Sequence, residues 1–382
     1  MRIAYLGPQG TFSEQAALDY AGSTELIPFP SITAAAMSVL HGEADEAVCP
    51  IENSLQGSVT DTLDVLLHEE GLHIRQELSL DIVHDLMVKP GVVLAAVKRV
   101  YSHPQALGQC RRYLEQHLPN AELAAALSTA GAVEQAMASD VPAAAIAPSR
   151  AAELYGAQVL APGIQDDDNN VTRFLVLGRS DHPRTGNDLT SMAMAFSQDR
   201  PGQLFGVLKE FAERNINLTK IESRPTRLGL GKYYFLMDIE GHRDDPLLEE
   251  VLGNVRKRAS LLKVFGSFPR MTITSYLSAL VREIAALRGY RSQEQVLHVG
   301  VQVDVLLQSG GAEIGVEVRA TSSVEDVRST AESFREAGLA QAIFVFADPT
   351  VAEKARAAAA EWPEELAAAA AFTTTEHIGE LL

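Results

Sequence analysis

Over the first 180 residues, short apolar runs alternate with stretches of helical period. Ile3–Leu6, Ala47–Ile51, Val100–Ser102, Ala143–Ala147 and Phe174–Leu177 read as strands. Ser13–Tyr20, Ala34–His41, Ser58–His68, Pro104–His117 and Thr129–Ala138 read as helices; in Ser58–His68, Val59, Leu63, Leu66 and Leu67 are spaced to share one buried face. Such alternation predicts an α/β fold with parallel sheets flanked by helices. Between Leu78 and Val88 strand-like residues break the helical rhythm. This predicts a crossover into a second α/β lobe, with the chain returning near Val159–Phe174. Two lobes joined twice enclose a cleft, the usual place for a small ligand.

Asp181–Asn187 (DHPRTGN) is a polar, turn-rich linker. Beyond it come strand Ser191–Phe196, helix Leu204–Arg214, strands Ile216–Ser223 and Tyr233–Ile239, helix Leu247–Arg258 and strand Leu262–Phe268. That order predicts a βαββαβ ferredoxin-like unit. A further α/β region follows, with helix Tyr276–Leu287, strands near Val299–Leu307 and Ile314–Val318, helix Ser323–Ala337, strand Ala342–Phe346 and an alanine-rich helical end. The expected domains are therefore 1–180, 188–270 and 274–382.

A chain of 382 residues has room for three such cores. Its formal net charge of −18 disfavours nucleic acid as a partner, although local Arg and Lys can reverse the field inside a cleft. Residues 271–382 hold 8 Lys/Arg against 16 Asp/Glu, so the acidity extends there. Two cysteines, Cys49 and Cys110, are too few for a disulfide framework or a cysteine zinc cluster. Met1–Leu6 reads as a strand rather than a signal peptide, and no apolar run approaches the ~18 residues of a membrane span. The expectation is a cytoplasmic protein with no membrane partner. HxxxH, GxSxG and P-loop patterns are missing, as is GxGxxG at a strand-to-helix junction, which disfavours metal or cofactor chemistry.

Four polar clusters stand where expected strands begin or end. Gly7-Pro8-Gln9-Gly10-Thr11-Phe12-Ser13 opens a helix; its glycines admit a ligand to the backbone, or simply make a tight turn. Pro50-Ile51-Glu52-Asn53-Ser54, with Gly57-Ser58, sets Asn53 and Ser54 at a sheet edge, where α/β folds collect ligands and where such residues also cap helices. In Ser102-His103-Pro104-Gln105-Ala106-Leu107-Gly108-Gln109-Cys110, Ser102 can cap the helix, and Gln105 and Gln109 lie one turn apart. His103 is either a general base or a structural imidazole. In Asn170–Leu177 a hydroxyl, Thr172, stands beside a guanidinium, Arg173: a hydrogen-bond donor next to a fork for a carboxylate. The pair suits a small, carboxylated, hydroxyl-bearing substrate, although adjacent residues of a strand point to opposite faces.

GPQGTFS, PIENSxxGxV, SHPQxxxQC and NxTRF, in this order, resemble the prephenate dehydratase family. The βαββαβ unit resembles its ACT regulatory domain, with Gly202-Gln203-Leu204-Phe205 in place of the usual Gly-Ala-Leu-Val turn and Glu222-Ser223-Arg224-Pro225 as the second signature. The resemblance implies a two-lobe, periplasmic-binding-protein-like (type II) catalytic domain. It also implies conversion of prephenate to phenylpyruvate with loss of carbon dioxide and water, without a cofactor, under feedback by phenylalanine. Arogenate dehydratase is the alternative enzyme; an amino-acid-sensing binding protein is the alternative outside catalysis. Rearomatisation drives the reaction, so the difficulty lies in expelling hydroxide. A donor aimed at that oxygen contributes ~10²- to 10⁴-fold. By resemblance Thr172 takes that role, with Asn53, Ser102 and Gln109 also catalytic and Arg173, Thr11, Ser54 and Gln105 binding substrate. The two ACT signatures, with Asn217 and Leu218, would hold phenylalanine between subunits of a homodimer or homotetramer.

Residues 274–382 lie outside that pattern. Asp304, Glu317 and Arg319, with Glu283 on the preceding helix, resemble the D…ExK arrangement of restriction-endonuclease-like folds, whose carboxylates hold Mg²⁺. Arg319 stands where lysine is usual and the region is acidic. A fold of that kind used for contacts, or an unrelated α/β appendage, is expected in preference to an active nuclease.

Overall fold

A computed structural model describes residues 1–21, 24–198, 200–226, 232–271, 273–319, 327–374 and 377–382, except for the side chains of 273–276, 279, 283, 294 and 295. The chain divides into two compact units, Met1–Arg270 and Met271–Leu382.

In the first unit, β1 (Arg2–Leu6), β2 (Glu25–Phe29), β3 (Glu46–Asn53), the short β4 (Gly57–Ser58) and β5 (His73–Asp81) belong to one sheet. The chain then crosses to a second sheet of β6 (Asp85–Val88), β7 (Arg99–Ser102), β8 (Glu122–Ala125), β9 (Ala143–Ala147) and β10 (Gln158–Ala161), and returns as β11 (Val171–Gly178) between β3 and β5. The orders are β2-β1-β3-β11-β5, with β4 on β3, and β10-β6-β9-β7-β8. Strands β11 and β6 each run antiparallel to both neighbours, so the sheets are mixed rather than parallel as expected, because the chain enters the second lobe through β6 and returns through β11. Residues 82–84 and 162–170 are thus the two connections between lobes.

Ile3, Ala4, Tyr5, Ala47, Val48 and Cys49 are fully buried, as strands covered on both faces require. Along β11 the faces separate: Phe174 and Val176 pack with Tyr5 and Ala17, whereas Leu175 and Leu177 pack on the other side with Leu63 and Phe265. Edge strand β2 is not evident from periodicity because Pro28 interrupts it, which an edge tolerates. Ser58 pairs with Glu52 in β4, so the expected helix starts only at Thr60. The expected helix Pro104–His117 divides at Cys110. There Asp166 enters the ladder: its N–H takes the Gln109 carbonyl at 2.6 Å, and its carboxylate takes the Arg112 N–H at 3.0 Å.

β12 (Asp188–Ala195), β13 (Leu218–Pro225), β14 (Tyr233–Glu240) and β15 (Leu261–Pro269) form a sheet of order β13-β14-β12-β15. Helices Gln203–Ala212 and Pro246–Arg258 cover one face through Val207, Phe211, Leu248 and Val251. The other face lies on the first sheet, where Leu189, Ala193, Leu236 and Phe268 share a core with Leu66, Ile74 and Leu175. Here β15 crosses β5 so closely that a Cβ on Gly266 would come within 2.4 Å of the Ile74 carbonyl oxygen. The two regions separated by the DHPRTGN linker therefore pack as one body.

In the second unit, β16 (Arg291–His298), β17 (Val301–Ser309) and β18 (Ala312–Arg319) form an antiparallel meander, and β19 (Gln341–Phe346) and β20 (Ala370–Thr374) extend it in parallel. Helices Ile273–Leu287 and Ile378–Leu381 cover one face; Val327–Glu336, Pro349–Ala359 and Glu364–Ala368 cover the other. Residues 323–326 of the expected helix lie outside the described residues. The alanine-rich end is not wholly helical, because Phe372, Thr373 and Thr374 favour the strand β20. Among the described residues, no helix is long and apolar enough to cross a membrane.

Candidate active site

The antiparallel register of β3 and β11 sets Asn53 opposite Thr172. Asn53 is buried, and its hydrogen-bonding capacity is spent. Its Oδ1 accepts the backbone N–H groups of Leu55 and Gln56, each at 3.1 Å, closing the turn after β3. That identifies the oxygen end of the amide. Nδ2 then donates to Asn170 Oδ1 at 2.8 Å and to Thr172 Oγ1 at 2.9 Å. Asn170 and Thr172 are both buried, and each receives a hydrogen bond on its oxygen. What each has left is a donor: the Thr172 O–H, and the Asn170 N–H₂, whose Nδ2 has no partner among the described residues. Asn53, expected to act on the substrate, instead orients two donors. Ser54, expected to bind substrate, is also occupied: Oγ donates to the Asn169 carbonyl at 2.9 Å and accepts the Val171 N–H at 3.0 Å.

The turn after β1 meets the second lobe. Gly10 has φ +81°, and a Cβ there would lie 3.3 Å from Ala130 Cβ and from Ala151 Cα. The glycine thus admits the other lobe, rather than a ligand, to the backbone. Thr11 caps helix Phe12–Ala21: Oγ1 accepts the Glu14 N–H at 3.3 Å and donates to the Pro8 carbonyl at 3.0 Å. Glu14 reaches back to the Gly10 N–H at 2.7 Å, close to a capping box. The Thr11 hydroxyl is therefore used within its own turn. The adjacent Phe12 ring stands edge-on to His84, with centroids 5.4 Å apart.

His84, 2% exposed, lies on the outgoing connection, with Nε2 2.8 Å from Gln109 Oε1. The His84 backbone N–H donates to Gln165 Oε1 at 3.0 Å, and its backbone carbonyl accepts the Ile164 N–H at 2.8 Å. Burial holds its pKa below the usual imidazole value, against the opposing effects of Gln109 and Asp85, which keeps the ring neutral. His84 Nδ1 and Gln109 Nε2 are buried without partners among the described residues. Neither His84 nor Asn170 is among the site residues expected from the sequence. Asn170 heads the NxTRF motif, which is a usable signal; His84 stands in a strand-like stretch with none.

Ser102 is fully buried and donates to the Ile146 carbonyl at 2.6 Å, stitching β7 to β9. It does not cap the helix as expected. Pro104 holds the preceding residue extended, so His103 is the N-cap, its Nδ1 accepting the Gln105 N–H at 3.4 Å. Gln105 is half-buried one turn before Gln109.

Arg173 points away from Thr172, which corrects its expected place against substrate. Strand alternation puts it with Leu175 and Leu177 on the face beneath the β12–β15 sheet. Its guanidinium pairs with Glu52 at 3.0 Å, Glu77 at 2.7 Å and Asp238 of β14 at 3.8 Å. Glu52 also binds Lys220 of β13 at 2.9 Å. Burial alone would raise the Glu52 pKa, but Lys220 and Arg173 hold its carboxyl below the usual range. Farther along β13, Glu222 accepts from Ser58 Oγ at 2.8 Å, and Arg224 pairs with Asp64 at 2.8 Å. Lys220, Glu222 and Arg224 thus all reach the first sheet and its helix Thr60–His68, while Ile221, Ser223 and Pro225 face outward. Glu222 and Arg224, expected to hold an effector, are spent on these contacts.

Elsewhere on that sheet, Gly202 adopts φ +83° to start helix Gln203–Ala212. Gln203 Oε1 is buried without a partner among the described residues, and Leu204 is partly buried beside it. Phe205 is 69% exposed. Asn217 Nδ2 donates to Glu240 at 3.1 Å, and Leu218 pairs with Ile239.

In the second unit, Asp304 Oδ2 accepts the Val318 N–H at 2.8 Å, and Glu317 lies 3.6 Å from Arg319. Burial, then the charge of Asp304, push the Glu317 carboxyl up to about 7, against Arg319. The Glu283 side chain lies outside the described residues. Among the described residues, no three His, Cys, Asp or Glu side chains are grouped to hold a metal ion.

Comparison with known proteins gives a family model for prephenate dehydratase matching residues 3–182 and one for the ACT domain matching residues 192–257. The prephenate dehydratase of Mycolicibacterium vanbaalenii is 41% identical over 284 residues, covering 70% of this chain and 90% of that protein. A bifunctional chorismate mutase/prephenate dehydratase of Stutzerimonas stutzeri is 41% identical over 274 residues, 72% of this chain and 74% of the other. The crystal structure of prephenate dehydratase from Arthrobacter aurescens in complex with L-Phe matches with TM-score 0.66 and 39% identity, covering 71% of this chain and 90% of that one.

Proposed function

The chain belongs to the prephenate dehydratase family and carries an ACT domain, and on that premise we propose that the donors oriented by Asn53 carry its chemistry. It is a carbon–oxygen lyase of phenylalanine biosynthesis that converts prephenate to phenylpyruvate. In that reaction the bond to the ring carboxylate breaks and releases CO₂. Its electron pair enters the ring, and the ring C–O bond breaks. The departing oxygen takes up a proton that comes ultimately from solvent and leaves as water. The two-sheet, twice-connected arrangement supports a type II binding-protein-like cleft for this chemistry.

The observation that carries the reading is the pair of bonds from Asn53 Nδ2. With its oxygen already accepting, Thr172 keeps its O–H for the departing hydroxyl and stabilises the charge developing there. A threonine hydroxyl is too weak an acid to release a free proton, so it donates a hydrogen bond or relays one. The Asn170 and Gln109 amide N–H₂ groups suit the acceptor-only oxygens of a dicarboxylate. Prephenate and arogenate turnover by the full chain, each with and without phenylalanine, tests the reading; no turnover of prephenate refutes it.

Phenylalanine is read as the inhibitory effector of the ACT domain. The L-Phe complex of the Arthrobacter aurescens relative supports this, as does the buried Gln203 Oε1, without a partner among the described residues and an acceptor fit for an ammonium group. Any shift of β13 would pass through Lys220–Glu52, Glu222–Ser58 and Arg224–Asp64 to the turn that follows β3. Couplings of this kind amount to ~1–3 kcal/mol. Exposed Phe205, Ile221 and Tyr233 on this domain favour self-association there. The second unit is read as a contact module of restriction-endonuclease-like descent, since Asp304 is taken up by the Val318 N–H and Arg319 replaces the lysine.

A further inference from the structure

We propose that His84 is a positioning residue for the dehydration: its Nε2–H holds the Gln109 carbonyl oxygen, so that the Gln109 amide N–H₂ faces the substrate as a donor. The inference rests on reading this cleft as the prephenate site. Gln109 Oε1 can only accept, so at 2.8 Å the imidazole nitrogen facing it must be the protonated one. Were the amide turned over, an unpaired carbonyl would face a dianionic substrate, which is repulsive. Gln109 Nε2 is left buried without a partner among the described residues. Buried donors of that kind are scarce in folded proteins and persist where a ligand completes them.

The ring is itself held from several directions. Phe12 of the first lobe packs perpendicular to it, and Gln165 and Ile164 of the return connection bond its backbone. His84 thus ties both connections and the first lobe to helix Pro104–Gln109 of the second. The same device stands across the site, where Asn53 occupies the oxygen of Asn170 and leaves the Asn170 N–H₂ free. In each half, a buried partner takes up the acceptor of an amide so that only its donor remains.

The test compares His84→Phe, His84→Gln, Gln109→Ala and the double variant His84→Phe/Gln109→Ala in the full chain, with folding checked by circular dichroism and Tm. His84→Phe keeps an aromatic ring beside Phe12 but removes the N–H. Its kcat/KM for prephenate should fall ~10- to 100-fold, the range for a lost hydrogen bond to a charged group. His84→Gln, which can supply an N–H, should recover most of the loss. The double variant should be no worse than Gln109→Ala alone, because His84 acts through Gln109. Multiplying losses, or wild-type kcat/KM in His84→Phe, would overturn the proposal while leaving the prephenate reading intact. No prephenate turnover by the unaltered protein would overturn both. Should His84→Phe fail to fold, Gln109→Glu carries the same test: turning an acceptor on a dianion, it must lose more kcat/KM than Gln109→Ala, and an equal or smaller loss sinks the proposal.

Discussion

Replacing Asn53 with aspartate changes almost nothing in shape and reverses the polarity of the site. The oxygen that accepts the Leu55 and Gln56 N–H groups is retained, so the turn after β3 keeps its bonds. The other end becomes an acceptor where Nδ2 had donated to Asn170 and Thr172. The Thr172 O–H then turns toward the new carboxylate, and the Asn170 amide flips to donate to it. Two substrate-facing donors are lost at once. One preorganised donor at a developing negative charge contributes ~10²- to 10³-fold in kcat. Asn53→Asp should therefore lose at least ~10³-fold, short of the product because donors acting together are not additive. Asn53→Ala removes more of the side chain yet should do less harm to turnover. Thr172 loses its support but stays a donor, for a loss of ~10- to 100-fold in kcat, while the missing turn bonds cost about 1–2 kcal/mol of stability. Accepting the Leu55 and Gln56 N–H groups and the turned Thr172 and Asn170 donors, the carboxylate of Asn53→Asp is held in its charged form, so the loss should persist as pH falls through the ordinary carboxylate range. Initial rates of phenylpyruvate formation across pH, with Tm measured in parallel, read all of this. The reasoning fails if Asn53→Asp stays within tenfold of wild type, or if Asn53→Ala proves the slower enzyme.

Other outcomes follow from the same geometry. Thr172→Val should lower kcat ~10²- to 10³-fold with KM nearly unchanged, since the hydroxyl acts on the departing oxygen; a change confined to KM would move Thr172 to binding. Lys220→Met breaks the 2.9 Å link to Glu52 and should weaken inhibition by phenylalanine at least ~5-fold, with uninhibited turnover little altered; unchanged inhibition would remove β13 from the coupling route. In the second unit, Glu317 titrates at about 7 against an ordinary 4.5. A raised folded pKa means that stability is intact below 4.5 and is lost as pH rises through about 7. Glu317→Gln should therefore stabilise that unit by ~2–3 kcal/mol at pH 8 and hardly at all at pH 4. Fluorescence of Trp362, the chain's single tryptophan, follows its unfolding, and equal effects at both pH values would contradict the assignment.

Periodicity and motif spacing by themselves determined the α/β class, the βαββαβ unit and the four polar clusters, because strand alternation, turn residues and helix caps are local properties. They also placed Asn53 and Thr172 at strand ends. Only the tertiary structure decided what those side chains do. Asn53 meets Asn170 and Thr172 across 117 and 119 residues of chain, and those bonds spend its donors and leave theirs free. Arg173 reads like a substrate clamp next to Thr172, yet alternation turns it to the opposite face, where Asp238, 65 positions farther on, helps to neutralise it. His84 belongs to no motif and gains its place from a helix that begins twenty residues later. A sequence shows which groups can donate or accept; which end of each is already taken depends on partners that only folding brings into contact.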